Sequence, residues 1–214
     1  DKDNHCVRKV NTSGVISTFA GTGGAFGLFG DGGAANAANL SAPLSVCLDA
    51  AGNLYIADFD NHRVRKVNTS GIISTVAGSS VGLGGDGAAA TAAFLNNPTD
   101  VSVDASGNLY ICDYGNQRIR KVNTSGIIST FAGSTGGFSG DGAAATAAKL
   151  SSPNGVFAAP SGQVYIADMG NNCIRKVDIA GVITTIAGNT SSGYTGDGGA
   201  ATAANMNSPS FVTT

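Results

Sequence analysis

The sequence predicts an all-β propeller of repeated four-stranded blades, and three observations carry that prediction. First, the chain repeats itself: GNLYIADFDNHRVRKVNTSGIISTVAG from Gly52 returns as GNLYICDYGNQRIRKVNTSGIISTFAG from Gly107 and as GQVYIADMGNNCIRKVDIAGVITTIAG from Gly162. Second, landmarks keep step. Asp31, Asp86, Asp141 and Asp197 sit in GDG triplets 55, 55 and 56 residues apart, and Pro43, Pro98, Pro153 and Pro209 share that spacing. A period near 50 residues marks an array whose units cannot bury their apolar faces alone. Third, composition argues against helices. All 14 acidic residues are aspartate, glutamate and tryptophan are absent, and 32 of 214 residues are glycine, whereas exposed helix faces draw on Glu and Lys.

Each element can be read within one unit. Pro98–Asp104 alternates apolar and polar residues behind a proline, which predicts a strand. Gly107 follows as a turn residue free to take positive φ. Asn108–Cys112 predicts a second strand, Arg118–Val122 a third and Ile127–Phe131 a fourth, with the Asn123–Gly126 hairpin between the last two. Four short antiparallel strands per unit describe a propeller blade. The connection from Ala132 to Pro153 carries GDG and then an alanine run, which predicts one or two helical turns with Asp141 as their cap.

The motifs P-x-x-V, G-N-L-Y-I-A-D, N-x-R-I-R-K-V, G-I-I-S-T-x-A-G and G-D-G-x-A-x-x-A resemble NHL-repeat β-propellers. They are closest to the variety with GDG/Ala-rich connections found in bacterial extracellular proteins and similar to the propeller of teneurins. The resemblance spans essentially the whole chain. It implies a partial unit at 1–43, units at 44–98, 99–153 and 154–209, and the first strand of a further unit at 210–214. Asp1 aligns with Asp58, and Thr214 with Leu48 and Val103. Those ends fit a four-bladed ring lacking one strand, a window on a longer array, or strands supplied by neighbouring copies. The window is the favoured reading.

Function is constrained mainly by what is missing. NHL lyases resembling this fold use several zinc-binding histidines, and this chain has two; lactonase-like and strictosidine-synthase-like propellers lean on a glutamate, and it has none. The expectation is no enzyme, no catalytic residue, no metal and no cofactor, with a propeller enzyme using an Asp-based or metal-assisted site as the alternative. A formal net charge of −2 and the lack of a run of about 20 apolar residues argue against nucleic acid and membrane insertion. The Arg-Lys pairs at Arg8, Arg65, Arg120 and Arg175 alternate across a strand, so each arginine is expected to pair with a repeated aspartate such as Asp58, Asp113 or Asp168. The GDG aspartates read as helix caps rather than calcium ligands, which need six to eight oxygens.

Candidate binding residues lie where units differ. The turn after the second strand offers Asn61 and His62, Asn116 and Gln117, and Asn171 and Asn172. Ahead of GDG, Phe29, Leu83, Phe138 and Tyr194 form an apolar series that either packs on the next blade or meets a partner. Cys6, Cys47, Cys112 and Cys173 leave two disulfides open, with Cys112 read as a small buried side chain. Sequons occur at Asn11, Asn39, Asn68, Asn123 and Asn189; Asn11, Asn68 and Asn123, which begin the NTSG hairpins, are the glycosylation candidates, beside a plain turn reading. The expectation is an extracellular or cell-surface structural or interaction module. Its partner would be a protein, a glycan or another copy joined through terminal strands.

Overall fold

The computed structural model describes residues 1–213. It holds sheets of repeated design. The first pairs β1 (Val7–Val10) with β2 (Ile16–Ala20). The second runs β3 (Pro43–Leu48), β4 (Leu54–Asp58), β5 (Arg63–Val67) and β6 (Ile73–Ala77) in simple antiparallel order. The third repeats it with β7 (Pro98–Val103), β8 (Leu109–Asp113), β9 (Arg118–Val122) and β10 (Ile128–Ala132). The fourth adds β11 (Ala143–Ala144) to the outside of β12 (Pro153–Ala158), β13 (Val164–Asp168), β14 (Cys173–Val177) and β15 (Val182–Ala187). Up-and-down four-stranded blades are the unit of a propeller.

The strands fall where β-branched and aromatic residues alternate with turn residues, as the sequence predicts. Gly107 adopts φ +85° in its tight turn. Adjacent blades are sewn together along their first strands: Thr99 Oγ1 donates to Asn154 O at 2.9 Å, and Ala158 N donates to Ser102 Oγ at 3.0 Å. Asp100 joins three blades by accepting from Ser45 Oγ and, at 2.8 Å, from Val156 N. Residues 210–213 lie alongside β12 without a strand ladder, and Asn154 Nδ2 donates to Ser210 O at 3.0 Å. The remaining position of the strand expected at 210–214, Thr214, lies outside the described residues.

The cores lie between blades rather than within one. Tyr110, Cys112 and Ile119 of one blade pack on Val156, Val164 and Ile166 of the next. Burial of several aliphatic side chains of this kind, at about 1.5–3 kcal/mol each, is the main force holding repeats together.

The connections differ from expectation. Each carries one three-residue 3-10 turn, Ala35–Ala37, Ala90–Ala92, Ala145–Ala147 or Ala201–Ala203, instead of one or two α-helical turns. The alanines have a steric purpose. A Cβ on Gly140 (φ +99°) would lie 2.7 Å from Ala148 Cα, so the first glycine of GDG and the last buried alanine are pressed together. Larger residues on either side would force this loop apart.

Candidate functional site

The repeated arginines build the most polar feature of the molecule. On β5, β9 and β14 successive side chains point to opposite faces. Lys66 and Lys121 turn outward over the rings of Tyr55 and Tyr110, at 5.1 and 5.3 Å from the centroids. Arg65, Arg120 and Arg175 turn inward and are fully buried. Each bridges two aspartates. Arg65 reaches Asp58 at 3.4 Å and Asp31 at 2.5 Å; Arg120 reaches Asp113 at 3.2 Å and also Asp86; Arg175 reaches Asp168 at 3.5 Å and Asp141 at 2.7 Å. The partnership with Asp58, Asp113 and Asp168 is as expected from sequence for these three arginines; Arg8, in the partial first unit, is exposed and makes no such pair among the described residues.

The GDG aspartates are not caps. The 3-10 turn beginning at Ala145 has Ala144 at its cap position and no side-chain cap bond, and the other connections are alike. Asp31 instead spends one oxygen on Arg65 and accepts Thr75 N–H at 3.0 Å with the other; Asp86 does the same with Arg120 and Thr130. A three-residue turn offers an anion little, whereas a buried guanidinium offers a charge-assisted bond. The connections carrying Asp31, Asp86 and Asp141 are thereby pinned to the blades that follow them.

Asp58, Asp113 and Asp168 titrate in the opposite direction to Asp31 and Asp86. Burial pushes the carboxyls of Asp58 and Asp113 up despite bonds from Asn61 or Asn116 and from the arginine, and pushes Asp168 up to about 6. Burial also opposes ionisation of Asp31 and Asp86, but the bonds from Thr75 or Thr130 and the facing arginine outweigh it and hold both below their ordinary range.

The polar turn residues named from sequence are committed to the fold. Asn61, Asn116 and Asn171 donate through Nδ2 to Asp58, Asp113 and Asp168, each at 2.8 Å, and to the carbonyls of Gly27, Gly82 and Gly137. His62 Nδ1, Gln117 Oε1 and Asn172 Oδ1 accept the backbone N–H of Asn97, Ser152 and Ser208. Sequence reasoning missed this link, although the near-constant spacing of 35 to 37 residues to the residue before each repeated proline was a signal.

The apolar series behaves otherwise. Leu83, Phe138 and Tyr194 occupy equivalent places, Leu28 holds that place in the first connection, and Phe29 follows one residue later. Phe29 is 76% exposed and Tyr194 88%, with Phe26 also exposed. Phe138 lies over the Arg175 guanidinium, 4.9 Å from ring centroid to Cζ, and covers one face of that ion pair. Phe138 therefore packs on a buried arginine of the next blade, while Phe29, Leu83 and Tyr194 present exposed faces to solvent.

At the hairpins, Asn11, Asn68 and Asn123 accept two backbone N–H groups through Oδ1, as Asp178 does in the last unit. Asn39 and Asn189 use Nδ2 in internal bonds. All four cysteines are free thiols, which leaves neither of the two disulfides kept open from sequence. Cys112 is fully buried as expected, and burial pushes the Cys47 and Cys173 thiols up to about 12. Among the described residues no three His, Cys, Asp or Glu side chains gather as a metal site, and no helix is long and apolar enough to cross a membrane. An open groove of about 460 Å³ runs along β3, β7 and β12, and among the described residues that line it only Asp100 is charged.

Comparison with known proteins agrees with this architecture. The chain is 38% identical to human Teneurin-4 over 40% of its own length and 4% of that protein. It is 29% identical to chicken Teneurin-1 over 82% of its length and 7% of that protein. An auxiliary nutrient binding protein from Bacteroides thetaiotaomicron shares the fold, with a TM-score of 0.67 and 17% identity over 99% of this chain and 48% of that one. This chain thus spans a small part of the teneurins and about half of that solved structure. The teneurin NHL domain matches it in three overlapping stretches, residues 26–84, 81–139 and 136–195. On that match the chain belongs to the teneurin NHL domain family.

Proposed function

We propose that this chain is a non-enzymatic extracellular interaction module, with units 44–98, 99–153 and 154–209 as its repeating parts, that binds a protein partner through the apolar ridge on its connections. One observation carries the reading: the polar candidates are spent on internal bonds, while Phe29, Leu83, Phe138 and Tyr194 keep exposed faces at one repeated position or next to it. Exposed large apolar groups in series are a surface that association would cover. Kinship with teneurins supports placement at the cell surface. The two histidines serve as hydrogen-bond acceptors and the carboxylates as structural anchors, which supports a binding rather than a catalytic role.

The free Nδ2 groups of Asn11, Asn68 and Asn123 favour these three hairpins over Asn39 and Asn189 as glycan sites. The test of the main reading is selection of partners from a displayed library of extracellular proteins, followed by rebinding to an F29S/Y194S variant. Both side chains project into solvent, so the change in stability should stay within about 0.5 kcal/mol. Selected partners should bind the variant at least tenfold more weakly; undiminished binding would refute the ridge.

A second reading, assembly of copies by strand addition, is favoured by an open apolar groove of about 520 Å³ lined by Val7, Phe19, Val46, Leu48 and Leu54 beside β1. Sedimentation at rising concentration tests it: reversible association is expected, and a monomer throughout would end it.

A further inference from the structure

Where each unit meets the next, the chain makes a strained start. The residue before each repeated proline is Ala42, Asn97, Ser152 or Ser208, and all four have positive φ, from 48° to 51°. None is glycine, and such a conformation costs of the order of 1 kcal/mol at a non-glycine residue. In every case one side chain from the preceding unit holds that residue by its N–H. His5 Nδ1 accepts from Ala42 and His62 Nδ1 from Asn97, both at 3.1 Å. Gln117 Oε1 accepts from Ser152 at 2.5 Å and Asn172 Oδ1 from Ser208 at 3.0 Å. The four acceptors are themselves held in the left-handed region, at the ends of equivalent 3-10 turns.

The bond is the same, but the acceptors differ in chemistry. An amide oxygen accepts at any ordinary pH. An imidazole nitrogen accepts only while it carries no proton, and imidazolium has N–H on both nitrogens. We infer that the chain carries two pH-sensitive inter-unit latches, at His5 and His62, and two pH-insensitive ones, at Gln117 and Asn172, so that acidification loosens the starts of β3 and β7 and leaves that of β12 unchanged.

The surroundings of the two histidines agree with this. The charged groups around His62 are Asp60 in its own turn and the adjacent Arg63, whose guanidinium is taken by Ser79 O. The segments packed on it, residues 78–81 and 96–98, contain only neutral residues. Burial outweighs Asp60 and holds the His62 imidazole below its ordinary 6.5. His5 has Asp1, Lys2 and Asp3 in its own turn, neutral residues at 21–24 and 41–42, and the Phe26 ring 5.9 Å away. For His62, a depressed folded value means a stabilising contribution that is complete above 6.5 and is lost as the pH falls through the folded value.

The molecule supplies its own control. Amide hydrogen exchange, corrected for intrinsic rates, should be compared at pH 7.5 and 5.0. Protection at Ala42 and Asn97 should fall about five- to tenfold, the loss of one hydrogen bond, while Ser152 and Ser208 hold. An H5Q/H62Q variant, which copies Gln117, should make Ala42 and Asn97 as indifferent to pH as Ser152. Equal responses at all four amides, no response at Ala42 and Asn97, or an undiminished response in the variant would each overturn the inference.

Discussion

Each buried arginine serves two aspartates, and the two sit in unlike places. Asp58, Asp113 and Asp168 close the second strand inside a blade and are fully buried. Asp31, Asp86 and Asp141 belong to the preceding connection, with side chains close to half exposed. The inner carboxylate meets a backbone N–H, an asparagine amide and the guanidinium, and it exists only at the cost of desolvation. The outer one keeps water on one side and still anchors a strand N–H. The contrast separates two tasks. The inner aspartate organises a blade and holds the last residues of the preceding unit, and the outer one ties the preceding GDG loop to that blade. Because the guanidinium is common to both, a unit's internal order is coupled to its attachment.

The largest effect should follow loss of an inner aspartate. D113A leaves Arg120 and Asn96 N–H without their buried partner and should cost about 3–5 kcal/mol in urea unfolding. D86A removes a half-exposed partner and the acceptor for Thr130 N–H, for a smaller cost of about 1–2 kcal/mol in the same measurement. If the two cost the same, the distinction between inner and outer positions fails.

The pH response sharpens the comparison. Asp168 is raised by burial to about 6 from an ordinary 3.8. Its folded state therefore takes up a proton that the unfolded state does not. That contribution is complete below 3.8 and is lost as the pH rises through about 6. Relative to D168N, the wild type should gain about 1–3 kcal/mol between pH 7.5 and pH 4, read from unfolding at each pH. Asp86, held low, should act in the opposite sense: its contribution is present above 3.8 and is lost as the pH falls further. The smallest effect is expected at the hairpins. N68D copies Asp178, keeps the Oδ1 acceptor and should change stability by less than about 0.5 kcal/mol.

Much of this was legible in the sequence because repetition averages out local ambiguity. Three copies of the Leu-Tyr-Ile or Val-Tyr-Ile strand and a fixed proline fixed the blade, and strand alternation sent arginine inward and lysine outward. The arginine's second partner was not legible. Asp86 precedes Arg120 by 34 residues, and an alanine run beside it invited a local, helical explanation. The latches were hidden for a similar reason. His, Gln and Asn look like interchangeable polar turn residues until a common acceptor role over 35 to 37 residues is seen. Phe29 shows a third limit, since in the first connection Leu28 holds the position that Leu83, Phe138 and Tyr194 share and the aromatic follows one place later.

The central claim is that the GDG aspartate is an inter-unit clamp acting through the arginine. A double-mutant cycle on D86A and R120M, followed by urea unfolding, tests it most directly. A clamp predicts that the two losses are not additive, with a coupling energy of about 1–2 kcal/mol. Additive losses within about 0.3 kcal/mol would mean that Asp86 acts on its own connection, and would contradict the account.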